Sequence, residues 1–325
     1  MNNPDRPVVV ICGASAGVGR ATAHVFAAAG YSIGLVARSD EGLALTLEEL
    51  QPYEVATLAI SADVADAEQL NTAARRFEAE LGPVDVWINS AMVTVFAPVD
   101  QLLPEEIRRV TEVTYLGTVH GTLAALELMR PRNRGLIIQV GSALAYRAIP
   151  LQSAYCGAKF AVRGFTDSLR CELIHHASKI RLCMVQLPAM NTPQFDWARN
   201  KLGKRVQPVP PIHDPYVAAR AIFNVVNAPP RELWLGAPTI KAIIGTLFFP
   251  GLLDRLLARG AWSGQMSGDT ELAQQAGNLF EPVNGLHDAR GRFDRNSRQR
   301  AWGLSSSHVI AVLIVATALV ALLIP

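Results

Sequence analysis

VVVICGASAGVGRATAHVFAAAG, residues 8–30, decides the fold of this chain. An apolar, β-branched run that is typical of a buried strand leads into a glycine-rich turn, and an alanine-rich helical pattern follows. Gly13, Gly17 and Gly19 are spaced as GxxxGxG, not as the dinucleotide fingerprint GxGxxG. Small residues let the backbone approach a pyrophosphate, and the helix that begins there offers free N–H groups and the positive end of its dipole. Taken alone, the stretch could also be an ordinary strand-to-helix loop.

Further apolar segments follow this first strand and alternate with helical patterns. The predicted strands lie near residues 7–12, 32–37, 54–60, 84–88, 135–141, 179–186 and 231–235. The alternation predicts an α/β fold, a doubly wound parallel sheet with helices on both faces and right-handed crossovers. The length suits one large core and nothing repeats internally, so we assign residues 1–238 to a single domain.

A tyrosine and a lysine stand one helical turn apart in SAYCGAKFAVRGF, residues 153–165. Tyr155 and Lys159 are four residues apart, so both side chains lie on one face of a helix. A cation held there stabilises the phenolate and pulls the pKa of the tyrosine down from about 10. Ser142, at the end of a predicted strand, could hydrogen-bond the oxygen with which Tyr155 exchanges a proton. The alternative is a surface tyrosine and lysine that share a helix by chance.

With these segments in view, the chain resembles the short-chain dehydrogenase/reductase family over residues 7–236. The matching pieces are GASAGVG at 13–19, Asp63-Val64, NSA at 89–91, Ser142, and YCGAK at 155–159. The resemblance implies a Rossmann-like fold that binds NAD or NADP and an oxidoreductase that acts on CH–OH groups.

The resemblance also implies roles for individual residues. Tyr155 would be the catalytic acid/base and Ser142 would orient the substrate. Lys159 would adjust the pKa of the tyrosine and hold the nicotinamide ribose. Asp63 would face the adenine, and Asn89 would support the cofactor cleft. Apart from residues at the end of the second strand, the other residues expected to contact the cofactor are Gly13, Ser15, Gly17, Val18, Gly19, Val64 and Pro188.

Several positions depart from the family pattern. Cys12 stands where a threonine is frequent, and Met92 replaces a glycine after NSA. Thr114 stands where many members have a catalytic asparagine that supports a proton-relay water, and we expect its hydroxyl to hold that water with a different geometry. Ala189 follows Pro188 where a glycine is usual. These changes leave the serine, tyrosine and lysine intact but put the relay and the substrate in question.

The end of the second predicted strand bears on the choice of cofactor. An acidic residue there would bond the ribose hydroxyls of NAD and repel the phosphate of NADP. Ala37 occupies that position and Arg38 follows it. A guanidinium can pair with a 2′-phosphate through two hydrogen bonds, so we predict NADP in preference to NAD. A solvated arginine is the alternative, and Asp40 and Glu41 lie close by.

Composition excludes some classes of function. The net charge of +2 and the absence of a basic stripe argue against nucleic-acid binding. The four cysteines form no CxxC pair and indicate small buried thiols in a reducing compartment. His175-His176 has no zinc-type spacing around it, so no metal site is expected. A homo-oligomer stays open.

Residues 188–215 and 239–303 are expected to lie around the substrate. The first is proline-rich, carries Phe195 and Trp197, and predicts a lid over a hydrophobic pocket. Within the second, 240–261 holds two amphipathic helical patterns broken at Pro250-Gly251, which either pack over the pocket as a helical extension or lie in a membrane interface. From about 263 to 290 the composition indicates a loosely structured connector.

The last segment, 304–325, is predicted to be a single transmembrane anchor. VIAVLIVATALVALLI at 309–324 has no charged residue and spans about 24 Å as a helix, slightly short of a bilayer core. A buried core helix is the alternative. The arginines at 290, 292, 295, 298 and 300 would keep that flank, and with it the catalytic domain, on the cytoplasmic side.

The sequence therefore predicts a membrane-anchored, NADP-preferring oxidoreductase that interconverts a carbonyl and an alcohol on a lipophilic substrate at the membrane surface. One alternative is a catalytically weakened NADP-binding scaffold or redox sensor, because of the changes at Thr114 and Met92. Another is a soluble enzyme whose tail docks on a partner protein.

Overall fold

A single eight-stranded sheet forms the centre of the computed structural model, which describes residues 6–270, 277–285, 287–309 and 311. The strands of this sheet are, in chain order, β1 (Val8–Cys12), β2 (Ser32–Ala37), β3 (Thr57–Ser61), β4 (Val84–Asn89), β5 (Gly135–Ser142), β6 (Ile180–Leu187), β7 (Glu232–Leu235) and β8 (Gly303–Ser305). The first seven coincide with the predicted strands to within three residues, so the parallel α/β fold is confirmed.

The strand order is β8-β7-β6-β5-β4-β1-β2-β3, and the switch of direction beside β1 makes the sheet doubly wound. Strands β1 to β7 are parallel, whereas β8 runs antiparallel to β7, with Leu233 opposite Ser305. Strand β8 was not predicted. It lies where the sequence suggested the junction between connector and anchor, so the chain leaves the main sheet after β7 and returns to it at Gly303–Ser305.

Helices cover both faces of the sheet, as predicted. They are α1 (Gly17–Ala28), α2 (Asp40–Leu50), α3 (Ala67–Leu81), α4 (Pro104–Val110), α5 (Gly117–Met129), α6 (Ser153–His175), α7 (Gln194–Trp197), α8 (Pro215–Asn224), α9 (Gly236–Phe248) and α10 (Pro250–Gly264). Helices α1, α2 and α8 pack on one face around Phe26, and α3, α5 and α6 pack on the other around Phe77. Both faces of the central strands β1, β2 and β5 are therefore buried, which explains their nearly continuous apolar sequence, whereas the edge strand β3 is only partly buried.

The extension after β7 is more ordered than the sequence suggested. Helix α9 buries Ile240 and Ile243, and α10 buries Ala261. A strand at Met266–Thr270 pairs with Lys204–Val206 of the expected lid. Within the connector predicted over 263–290, Met266–Thr270 forms a strand through long-range backbone pairing that leaves no local signature in the sequence, whereas residues 277–285 and 287–290 contain no helix or strand.

Across the described part of the chain, no helix combines the length and the apolar composition needed to cross a bilayer. The anchor predicted at 304–325 lies outside the described residues except for 304–309 and 311.

Candidate active site

One cavity of about 520 Å³ opens at the carboxyl ends of the strands. At one end it is lined by Arg38 and Asp63, and at the other by Ser142, Tyr155 and Lys159. The glycine-rich turn lies between the two ends. The cavity is therefore long and continuous, and it brings the sequence-predicted motifs to one place at the edge where parallel sheets bind ligands. Of the predicted cofactor residues, those that line it are Gly13, Ser15, Gly17, Val18, Gly19, Arg38, Asp63, Val64, Tyr155, Lys159 and Pro188.

The three motif glycines have separate structural reasons. Gly13 has a φ of +86°, and a Cβ there would lie 2.7 Å from the Ala91 backbone. Gly17 has a φ of +58° and begins α1. A Cβ on Gly19 would collide with the carbonyl oxygen of Gly13. The turn thus packs backbone against backbone and leaves the start of α1 facing the cavity, which suits a pyrophosphate.

Tyr155 lies on the first turn of α6, next to the end of β5. Its side chain is buried and faces Ser142, whose Oγ also accepts a hydrogen bond of 3.1 Å from the Leu144 amide. Burial raises the pKa of Tyr155 above its ordinary value, and the hydrogen bond with Ser142 offsets part of that shift. The phenol consequently keeps its proton at neutral pH.

Lys159 follows one turn later and is also buried. Its Nζ donates a 2.8 Å hydrogen bond to the Val140 carbonyl oxygen and lies 5.6 Å from the centroid of the Tyr155 ring. Burial lowers the pKa of the ammonium group to about 8. The sequence suggested that Lys159 would pull the pKa of Tyr155 down. In the cofactor-free protein the burial of the Tyr155 phenol is the larger effect, and the pKa of Tyr155 rises.

The hydroxyl of Thr114 bonds to the backbone of the loop after β4. It lies in a π-helical turn, Thr111–Leu116, that joins α4 to α5. Its Oγ1 donates to the Val93 carbonyl oxygen and accepts from the Val93 amide, each at 3.1 Å. The hydroxyl has one proton to donate, and that proton is committed. Thr114 is fully buried outside the described cavity lining, and its hydroxyl fixes the loop after β4.

Asn89 and Met92 flank that loop. The Asn89 side chain is buried below the cavity, where its amide nitrogen donates to Thr122 at 3.2 Å and to Gln139 at 2.9 Å. It supports the cleft through this network and does not line it. Met92, the bulky replacement for a glycine, does line the cavity.

Asp63 has a partner that the sequence did not suggest. Its carboxylate forms a close ion pair with Arg109 of α4 and accepts a 3.0 Å hydrogen bond from the Ala65 amide. Arg109 also donates to the Leu279 carbonyl oxygen at 3.1 Å. Arg38 likewise donates to backbone carbonyls of this distant segment. These arginines connect the sheet edge to residues that follow α10, and no local motif marks them.

The outer wall of the cavity comes from segments that the sequence only grouped as lid and extension. Phe195, Trp197 and Pro208 come from the lid, and Ala242, Leu257 and Ala261 come from α9 and α10. Asn278, Pro282, Val283 and His287 come from the stretch after α10. Among the described residues, no group of three or more His, Cys, Asp or Glu side chains is arranged to hold a metal ion.

Comparison with known proteins agrees with this geometry. Residues 7–202 match the family model for short chain dehydrogenases. The uncharacterized oxidoreductase YxnA of Bacillus subtilis is 31% identical over 286 residues, which cover 86% of this chain and 80% of that protein. The 3-dehydrosphinganine reductase of Danio rerio is 30% identical over 192 residues, 58% of this chain and 57% of that protein.

Among solved structures, an alcohol dehydrogenase from the archaeon Thermococcus sibiricus, complexed with 5-hydroxy-NADP, superposes with a TM-score of 0.60 at 27% identity. The match covers 69% of this chain and 92% of that one. Fold, motif placement and these matches agree, and the chain therefore belongs to the short-chain dehydrogenase family of oxidoreductases, which act on alcohol and ketone groups.

Proposed function

We propose that this protein is an NADP-preferring oxidoreductase that reduces a lipophilic ketone or aldehyde, or oxidises the matching alcohol, at a membrane surface. The observation that carries the proposal is the composition of the cavity. Ser142, Tyr155 and Lys159 line the catalytic end, while much of the surrounding wall is apolar and is completed by α9 and α10.

Within that cavity we assign proton transfer to Tyr155. A bound nicotinamide dinucleotide supplies or accepts the hydride. Ser142 donates a hydrogen bond to the substrate oxygen, and the Lys159 ammonium group stabilises negative charge on the phenol oxygen. Because burial raises the pKa of Tyr155, its proton is retained until a more basic alkoxide oxygen develops beside it. The proton of Tyr155 is then transferred to that oxygen, and the reverse transfer serves the oxidation of the alcohol.

The preference for NADP is supported by Ala37 and Arg38 at the end of β2. Both line the cavity, and no carboxylate stands at the position of Ala37 to repel a 2′-phosphate. The guanidinium of Arg38 carries five N–H donors. Two hydrogen bonds to backbone carbonyls therefore leave donors for a phosphate. The archaeal structural neighbour, whose complex contains a derivative of NADP, points the same way.

The lipophilic substrate is supported by the residues around the catalytic end. Leu144, Ile149, Met190, Phe195 and Leu257 offer carbon surface and no charge. A pocket of this kind gains binding energy from apolar surface at about 25 cal/mol per Å². The relative named for 3-dehydrosphinganine suggests a long-chain ketone as the first compound to test.

A membrane-facing surface is supported by the hairpin of α9 and α10. Five large apolar side chains at its turn are each more than half exposed: Leu247, Phe248, Phe249, Leu252 and Leu256. We call this group the tip patch. Contiguous exposed apolar surface of this kind marks an interaction site, and leucine and phenylalanine suit the boundary between headgroups and acyl chains. With the apolar sequence at 309–324, it would hold the catalytic domain against the cytoplasmic face.

The enzymatic proposal is tested by turnover. Purified protein should oxidise NADPH in the presence of a long-chain ketone, and Tyr155→Phe should bind NADPH but lose turnover. A protein that binds NADPH and turns over none of a panel of lipophilic and polar carbonyls would instead be the scaffold or sensor, a reading favoured by the commitment of the Thr114 hydroxyl to Val93.

The membrane proposal is tested by vesicle flotation. We expect the double change Leu252→Asp and Leu256→Asp to weaken vesicle binding in a protein that ends at residue 311. Leu123→Asp, on the half-exposed side of α5, is the matched control. Equal flotation of the two variants would remove the tip patch from the proposal, and a strong preference for small hydrophilic carbonyls would remove the lipophilic substrate.

A further inference from the structure

A segment after α10 crosses the adenosine end of the cavity. We call residues 277–285 and 287–293 the strap. At its centre, the Asp288 carbonyl oxygen accepts a 2.9 Å hydrogen bond from the Gly17 amide, the first N–H of α1. The His287 carbonyl oxygen accepts a 2.6 Å hydrogen bond from the buried Arg20. The strap therefore lies directly on the glycine-rich turn.

The strap is also held by Arg38 at the end of β2. The guanidinium donates to the Asn278 carbonyl oxygen at 2.6 Å and to the Phe280 carbonyl oxygen at 2.7 Å. Arg109, the partner of Asp63, donates to Leu279 in the same stretch. Arg38, which is expected to select the cofactor, thus contacts the strap directly. Asp63, which is expected to face the adenine, is connected to the strap through its ion pair with Arg109.

Two polar atoms of the strap are buried and lack a hydrogen-bond partner among the described residues: Asn278 Oδ1 and His287 Nδ1. Both residues line the cavity. Buried polar atoms in folded proteins are nearly always hydrogen-bonded, so each unsatisfied one calls for an explanation. Asn278 lies beside Arg38. The amino group and the ribose hydroxyls of an adenosine bound there could donate a hydrogen bond to Asn278 Oδ1.

Outside the cavity the strap is fastened by separate contacts. Arg290 donates to the buried Asp214 carboxylate at 2.7 Å, and Arg292 forms a close ion pair with Asp196. The Phe293 amide donates to Asn191 Oδ1 at 3.0 Å. These fastenings can be changed without altering any group that faces the cavity.

We propose that the strap is the outer wall of the adenosine half of the dinucleotide site. Asn278 Oδ1 accepts a hydrogen bond from the adenosine, and Arg38 is shared between the strap and the 2′-phosphate. A bound dinucleotide is enclosed by the strap, and its release requires the strap to open. This inference rests on the dinucleotide binding in the proposed function but is independent of the substrate.

The first test is the affinity for NADPH and NADH, followed by nucleotide fluorescence in full-length protein. Asn278→Ala should weaken both by about two- to tenfold, the loss expected for one buried hydrogen bond. The exposed Asn296 provides the control, and Asn296→Ala should bind like wild type. Unchanged affinity in Asn278→Ala, with an unchanged melting temperature, would overturn the role of Asn278.

The second test is the rate of release. Arg290→Ala should accelerate NADPH dissociation about tenfold, as expected for a lost charged hydrogen bond. Arg295→Ala, at an exposed position just after the strap, should leave the dissociation rate unchanged. Hydrogen exchange of 277–293 should slow when NADPH is added. Faster exchange on addition of NADPH would mean that the strap is displaced, and unchanged exchange would mean that it is not part of the site. Either result would overturn the proposal.

These readouts separate the strap from the catalytic proposal. A protein that binds NADPH under a protected strap but turns over no carbonyl would leave the strap assignment standing and refute the enzymatic function. A protein that turns over a ketone while the strap variants release NADPH at the wild-type rate would refute the strap assignment and leave the enzymatic function standing.

Discussion

The buried lysine of the site makes a prediction that does not depend on knowing the substrate. Lys159 is 4% exposed, and burial lowers the pKa of its ammonium group from 10.5 to about 8. At a pH between these two pKa values, the lysine of the unfolded chain keeps its proton, whereas Lys159 of the folded protein has released it. The free energy of unfolding therefore rises with pH in this window, because the unfolded state binds more protons.

The size of the effect follows from the shift. One pKa unit corresponds to 1.36 kcal/mol, so the full difference is on the order of 3 kcal/mol, and about 2 kcal/mol of it is present at about pH 9.5. Other buried groups act in the opposite direction at high pH. Burial raises the pKa of the Cys156 thiol to about 11, so the unfolded chain loses that proton first. The lysine must therefore be isolated by difference.

Lys159→Met provides that difference. We expect the free energy of unfolding of wild type, minus that of Lys159→Met, to be constant below about pH 7 and to rise by about 2 kcal/mol by about pH 9.5. Urea unfolding of cofactor-free protein, followed by circular dichroism, measures it at each pH. Lys179→Met, on the exposed loop before β6, is the control and should give a flat difference. A flat difference for Lys159→Met as well would show that the ammonium group is solvated, and the argument from burial would be wrong.

Three further predictions concern the cavity. Affinity of cofactor-free protein for NADPH should fall as pH rises through about 8, because Lys159 loses the charge that attracts the dinucleotide; calorimetric titration across pH measures it. Gly19→Ala should abolish dinucleotide binding or folding because its Cβ meets the Gly13 carbonyl, whereas Gly164→Ala in α6 has open space and should raise stability by up to about 1 kcal/mol in thermal melts. Ala37→Asp should shift the affinity ratio toward NADH by supplying a ribose acceptor and repelling the 2′-phosphate.

The fold and the catalytic end could be predicted because their signals are local. Strands β1, β2 and β5 are buried on both faces, and such a strand appears in the sequence as a largely apolar run, as β1 does. The spacing of the glycines depends on one strand-to-helix loop, and the spacing of Tyr155 and Lys159 depends on one helical turn of α6. In each case, residues that act together are neighbours in the chain or along one element.

The adenosine end could not be predicted in the same way. Arg109 meets Asp63 across 46 positions, and Arg38 meets Phe280 across 242. An arginine in a helix or after a strand gives no sign of a partner that far away. The hydrogen bonds of Thr114 could not be predicted for a related reason, because its partner is the backbone of Val93, which leaves no side-chain signal in the sequence.

The segments over the cavity behave structurally as one layer. The Gln207 amide donates to the Gln265 carbonyl oxygen at 2.9 Å, which links the lid to the end of α10. The Asn278 amide donates to the Trp197 carbonyl oxygen at 2.8 Å, which links the strap to the lid. The lid therefore joins the wall of the catalytic end to the wall of the adenosine end. Because backbone hydrogen bonds connect all three segments, a change that opens the strap also removes support from the lid beside Trp197, and the two ends of the cavity do not open independently.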